Sequence, residues 1–264
     1  MSSQKTVFGT KEWSVASVNC VNGCSHNCRY CYARYNAVSR FGRMSGDEWQ
    51  TMRVRPKDVT KIRSKYPGAV MFPTTHDITP EVLSPCLTVL TNLLSAGNSV
   101  LLVSKPHLEC ISRICEVCNA YREQILFRFT IGADDDRILA YWEPGAPSYR
   151  ERLNSLDLAY KRGFRTSVSV EPMLDSANII RHVTNLSPYV TESIWIGKLN
   201  NIRSRVRAVT DEDRAAIKRI EDGQTDERIF EIYQSLSGNP LVRWKESIKK
   251  VVGLAISAEP GADQ

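Results

Sequence analysis

The chain lacks any run of the eighteen or so uncharged apolar residues that a spanning helix needs, and its opening segment MSSQKTVFGTKEW has no apolar centre of secretory-signal type. Neither membrane insertion nor export is expected, and a cytoplasmic protein is. Internal repeats and low-complexity tracts are also absent, which argues against solenoids and flexible linkers. With 42% hydrophobic and 24% charged residues the composition is that of a soluble globular protein, with enough apolar material for a sizeable core. At 264 residues one compact α/β unit is within range.

The pattern along the chain alternates strand-like apolar runs with helical stretches. Strands are expected at Trp13 to Val18, Ala69 to Pro73, Ser99 to Ser104, Ile125 to Ile131, Phe164 to Val170 and Ser193 to Lys198. Helices are expected at Pro56 to Tyr66, Pro80 to Ala96, Pro106 to Arg122, Pro147 to Arg162 and Ala177 to Leu186, several opened by a proline preset for the first turn. The continuous apolar character of VLLV and SIWIG suits parallel strands covered on both faces. The expected fold is therefore an α/β, partial and open parallel (β/α)6 barrel over residues 1–200. Residues 201–264 read as a helical C-terminal extension packed on the barrel, with one long helix from Asp211 to Leu236, no clear strand and a frayed end SAEPGADQ.

Eight cysteines in a reducing compartment are not expected to form disulfides, so where they cluster matters. Cys24, Cys28 and Cys31 stand in C-x3-C-x2-C spacing directly after the first strand. Three thiolates from one loop suit a four-iron, four-sulfur cluster and leave one iron without a protein ligand. The competing reading adds Cys20, with His26, to make a closed zinc or iron-sulfur site of structural use. Cys110, Cys115 and Cys118 also repeat closely. On a helix at about 100° per residue, however, Cys110 points away from the other two, so they read as small buried apolar residues, as does Cys86.

The net charge of +6 is uneven: between Arg29 and Tyr66 ten lysines and arginines face three acids. Tyr30, Tyr32, Tyr35, Phe41, Trp49 and Tyr66 are interleaved with them, a mixture suited to phosphate contacts and base stacking, or else a solvated basic face over core aromatics. Arg203, Arg205 and Arg207 either line the substrate opening or decorate a loop.

The cysteine spacing, with Tyr30 just before the last cysteine, resembles the radical S-adenosylmethionine (SAM) superfamily. GCSHNCRYCYA, the TTHD after the second strand, the SK after the third, FRFTI and the EPG turn are together most similar to the spore photoproduct lyase family and its broader relatives, over residues 13–200. The resemblance implies a partial β/α barrel that holds a 4Fe-4S cluster on Cys24, Cys28 and Cys31 and cleaves S-adenosyl-L-methionine reductively. It also implies an external electron donor of flavodoxin or ferredoxin type. Carried over by position, Tyr30 lies against the adenine, and His76, Lys105 and Thr130 fall at strand ends that contact SAM. Glu171 binds ribose hydroxyls or closes its strand, and Tyr32 matches a tyrosine of the hydrogen relay. Thr74 stands where thymine-restoring lyases carry a hydrogen-donating cysteine, and its O–H bond is too strong for that role. The expected function is a radical SAM enzyme, with a nucleic acid or nucleotide as substrate. The alternatives are modification of a peptide or small metabolite, and a noncatalytic metal module that binds nucleic acid.

Overall fold

The computed structural model describes residues 7–263. Its strands are β1 (Ala16–Ser17), β2 (Val21–Asn22), β3 (Arg53–Val54), β4 (Val70–Phe72), β5 (Val100–Ser104), β6 (Ile125–Thr130), β7 (Arg165–Val170), β8 (Ser193–Ile196) and β9 (Val242–Trp244). Seven form one parallel sheet in the order β1-β4-β5-β6-β7-β8-β9, while β2 and β3 make a separate antiparallel ribbon. Register runs across the sheet through Val70, Val100 and Ile125. Alternation along the strands separates two apolar layers. Val100, Leu102, Ile125, Phe127, Val168 and Ile194 pack outward against helices, whereas Met71, Leu101, Leu126 and Trp195 turn inward around Trp13. Burial on both faces is why the strands read as unbroken apolar runs.

The helices are α1 (Tyr32–Arg34), which continues as a wider π-helical turn over Tyr35–Arg40, then α2 (Gly46–Gln50), α3 (Pro56–Val59), α4 (Leu83–Ser95), α5 (Leu108–Val117), α6 (Asp136–Trp142), α7 (Tyr149–Lys161) and α8 (Ile179–Leu186). The C-terminal segment adds α9 (Ile202–Arg205), α10 (Asp211–Asp222), α11 (Asp226–Leu236) and α12 (Glu246–Val252). Helices and strands alternate as expected, and the partial open parallel barrel is the observed architecture.

Four details differ from the sequence expectation. The C-terminal segment does carry a strand: β9 pairs in parallel with β8 through Val242 and Ile194, extending the sheet from six strands to seven. The helix expected over Pro56 to Tyr66 stops at Val59, and Ile62 beyond it is 93% exposed, so no apolar face holds that stretch against the core. The long tail helix is two, because Thr225 takes the cap of α11 with its side chain accepting from the Arg228 N–H. The end is not frayed through Asp263: the Gly261 and Asp263 N–H groups donate to Lys11 and Glu12 carbonyls, and Lys249 pairs with Asp263 at 2.6 Å. Met1–Thr6 of the opening segment and Gln264 lie outside the described residues.

The N-terminal stretch thereby bonds to the C-terminal segment. Trp13 enters the barrel, and Glu12 pairs with the fully buried Lys245 at 2.6 Å. Lys245 also reaches Glu171 at 3.6 Å and lies 3.9 Å over the Trp13 ring. No helix among the described residues is long and apolar enough to cross a membrane.

Candidate functional site

The loop between β2 and α1 carries Cys24, Cys28 and Cys31, all with free thiols. Its turns are closed by the Asn27 N–H donating to the Cys24 carbonyl and the Cys31 N–H donating to that of Cys28. Asn27 sits at φ 47, a left-handed position that asparagine tolerates better than most residues. Gly23 enters at φ 85, and a Cβ there would lie 2.5 Å from the Trp49 carbonyl oxygen. Gly145 of the EPG turn abuts the same loop. Its N–H donates to the His26 carbonyl, and a Cβ would come within 2.2 Å of the Ser25 carbonyl oxygen. Two glycines thus let backbone approach backbone around the three cysteines. The loop packs over Trp49 and Ala33 on one side, and over Leu139, Trp142, Leu174 and Ile202 on the other.

Charged groups converge beneath it. Asp77, from the TTHD turn after β4, accepts from His26 Nδ1 at 2.8 Å, Ser104 Oγ at 3.0 Å and the Lys105 N–H at 2.8 Å, and its carboxylate is 3.7 Å from Lys105 Nζ. Burial would raise the Asp77 carboxyl, but Lys105 and His26 outweigh it and hold the group below the usual carboxylate range. Burial opposes the charge on Lys105 too, yet Cys28, Tyr30, Asp77 and Glu143 around it hold it well above the usual lysine value. Burial pushes the Cys24 thiol up to about 12, with Asp77 adding to it, and lifts Cys28 and Cys31 as well. Thiols held neutral this way release protons when they bind a metal.

A second buried network stands behind Tyr30. Its hydroxyl donates to Glu143, which pairs with Arg152 at 2.5 Å, and Arg152 in turn donates to the Pro147 and Thr130 carbonyls at 2.8 and 3.3 Å. Glu143 and Arg152 are 1% and 0% exposed, so each supplies the charge the other needs in a nonpolar setting.

The sequence-expected residues are distributed unevenly. Tyr30 and Lys105 stand together beside Cys28, with Lys105 Nζ 5.8 Å from the Tyr30 ring. Thr130 closes β6, and Glu171 follows β7 under Lys245. Tyr32, 38% exposed, donates its hydroxyl to the Thr74 carbonyl at 2.6 Å. Thr74 is fixed by Asn19, whose side chain bonds both its N–H and its hydroxyl at 2.7 Å. His76 is the exception. Its Nε2 accepts from the Cys20 N–H at 3.3 Å and its Nδ1 donates to the Asp77 carbonyl at 2.9 Å, so both ring nitrogens are engaged in holding the turn. Reading from sequence passed over Asp77, Glu143 and Arg152. The first two lay within the quoted TTHD and EPG strings, whereas Arg152, one of many helix arginines, carried no signal.

The closed four-cysteine arrangement is not formed. Cys20 turns into the outer core, 3.8 Å from Cys86, and the His26 ring nitrogens face Asp77 and His107. Cys110, Cys115 and Cys118 are buried in that same outer core. One group of donors, Cys24, His26 and Asp77, has its atoms all within 4.8 Å of one another.

No family model matches the chain. An uncharacterized protein, ORF301 of Acidianus two-tailed virus, is 24% identical over 168 residues, or 60% of this chain and 55% of that protein. The match therefore spans about half the length of that curated relative. A spore photoproduct lyase double mutant with bound AdoMet and dinucleoside spore photoproduct superposes with TM-score 0.55 at 12% identity, over 92% of this chain and 79% of the lyase. Streptococcus suis SuiB bound to S-adenosylmethionine gives 0.54 at 9% identity, over 94% of this chain and 54% of SuiB. At such identities these matches establish a shared fold, that of the expected partial open barrel.

Proposed function

We propose that the chain is a radical SAM enzyme that acts on a nucleic acid or nucleotide. The observation that carries the reading is the convergence of Cys24, Cys28 and Cys31 over Asp77 and Lys105, on a barrel whose fold is shared with SAM-bound structures. Three free thiols on one loop, with a cation against Cys28 to offset thiolate charge, fit a 4Fe-4S cluster with one open iron. When bound, that cluster supplies the electron for reductive cleavage of SAM to a 5′-deoxyadenosyl radical, which takes hydrogen from the substrate.

The protein's own part is placement and exclusion of water. Lys105 and Tyr30 border the loop on the Cys28 side, and Thr130 and Glu171 offer a hydroxyl and a carboxylate at the ends of β6 and β7 for SAM. His76 supports them through its turn. Tyr32 is the group suited to return hydrogen to a product radical. A phenol keeps its proton at neutral pH, and burial only strengthens that hold, while a phenolic O–H is weaker than that of Thr74. Thymine-dimer repair through a cysteine at position 74 is not part of the proposal.

The substrate class is supported by the basic segment, although not by all of it. Arg29 pairs with Asp213, Arg53 with Glu48 and Arg55 with Asp58. Among the other cations of the segment, the Arg40 and Arg43 guanidinium groups lie 5.1 and 4.8 Å from the ring centre of an exposed Phe41, a surface able to stack a base beside phosphates. An external electron donor of flavodoxin or ferredoxin type and a cytoplasmic location complete the reading.

A second reading is favoured by the tight Cys24, His26 and Asp77 group: a single metal ion there, without catalysis. Anaerobic reconstitution separates the two. Iron and sulfide near four each per chain, with 5′-deoxyadenosine formed on adding dithionite and SAM, is the expected result. A single zinc ion, or a full cluster without 5′-deoxyadenosine, counts against the enzyme.

A further inference from the structure

Of three arginines at the start of the C-terminal segment, the fold uses one differently. Arg203 is exposed and bonds Glu221 through two nitrogens at 2.6 and 2.8 Å, while Arg207 is exposed in a loop. Arg205 is half-buried. Its neighbours Ile202 and Val206 are buried in the apolar cluster that contains Cys28 and Tyr30, which fixes α9 against the cysteine loop. Asn201, left-handed at φ 56, turns the chain into that short helix.

Cys31 packs against that same cluster, and it, Glu171, Tyr32 and Tyr35 lie near enough to the Arg205 guanidinium to act on its charge. Glu171 is already engaged by Lys245, and Tyr32 by the Thr74 carbonyl. Among the described residues the Arg205 side chain has no ion-pair or hydrogen-bond partner, unlike Arg203 or Arg29. A guanidinium set beside the cysteine loop with no carboxylate of its own is free to meet an anion. The helical stretch that bears Tyr32 and Tyr35 leads through Arg40 to the exposed Phe41 and Arg43.

We infer that Arg205 anchors a backbone phosphate of single-stranded nucleic acid at the barrel mouth, beside the aromatic surface of Tyr32 and Tyr35. It is a positioning residue, holding the strand so that one nucleotide faces the lumen. This deepens the nucleic-acid reading above and rests on it.

The test uses the full chain, reconstituted anaerobically, and labelled mixed-sequence DNA and RNA single strands over a sodium chloride series. Arg205→Gln is expected to weaken binding roughly tenfold at low salt, the worth of one charge-assisted contact. The loss should be uniform across sequences, and the slope of log affinity against log salt should fall by about 0.7, one phosphate's share for a single strand. Arg205→Lys keeps the slope and shows that the fold tolerates change there. An unchanged slope in Arg205→Gln overturns the inference, as does a raised SAM requirement with unaltered strand binding, which would assign Arg205 to the SAM carboxylate. A wild-type protein that makes 5′-deoxyadenosine but binds no strand sinks the nucleic-acid substrate and this role together. One that binds strands through Arg205 but makes no 5′-deoxyadenosine sinks only the enzyme.

Discussion

Two groups of three cysteines lie in this chain, and they differ less in spacing than in surroundings. Cys24, Cys28 and Cys31 sit on a loop tied by left-handed turns, above a buried aspartate, lysine and glutamate. Cys110, Cys115 and Cys118 lie on and after α5 among Ile111, Ile114, Leu156 and Ala159. Burial pushes Cys115 up to about 12, the same value as Cys24, so proton affinity alone does not tell the groups apart. What separates them is the company of charge. The first set faces the Lys105 cation and the hydrogen-bonded Asp77, which can balance thiolates once a metal binds, whereas the second is buried in the apolar outer core, where a small apolar side chain fits.

The largest expected effect breaks the comparison most directly. Cys28→Ala should abolish retention of iron and sulfide after anaerobic reconstitution, while Cys118→Ala retains both in full. Iron bound to Cys28→Ala at the wild-type ratio would mean that the cluster is held elsewhere. Next comes the charge behind Tyr30. Glu143→Ala leaves Arg152 buried and unpaired, and should cost about 3–5 kcal/mol in urea unfolding. A loss under 1 kcal/mol would show that water replaces the carboxylate.

Asp77→Asn probes the same surroundings through pH, at about 2–3 kcal/mol near neutrality, where Lys105 and His26 lose a charged partner. Because those partners hold the Asp77 carboxyl below its ordinary value near 3.9, its contribution is fully present above that pH and disappears only as pH falls through the depressed folded value. The difference between wild type and variant should therefore persist from about pH 7 to 5 and shrink only in stronger acid. A difference that fades between pH 7 and 5 would place the carboxyl in the ordinary range. The smallest effect belongs to the other cysteines: Cys115→Ala should cost about 1 kcal/mol and leave the iron content unchanged.

Much of the barrel was legible because its signals are local. Apolar runs such as Val100–Ser104 and Ser193–Ile196 mark themselves, and proline and capping residues bound the helices between them. The strand β9 was not, since three residues between Pro240 and a lysine-rich helix carry no pattern. They become a strand because the edge of β8 offers unpaired backbone groups. The site divides the same way. Cys24, Cys28, Cys31 and Tyr30 fall within eight residues and were visible. Glu143 is 113 residues from Tyr30 and Asp77 is 51 from His26, so only folding brings them together.

The sequence by itself determined the alternation of the barrel and the placing of three thiols on one loop, because neighbours along the chain need no folding to be neighbours. The tertiary structure alone decided that Cys20 turns toward Cys86, that His76 holds a turn, and that Arg203 pairs with Glu221 whereas Arg205, among the described residues, has no such partner. Each of those choices depends on which face of an element is covered and by what. That is set by packing between segments distant in the chain, and no spacing records it.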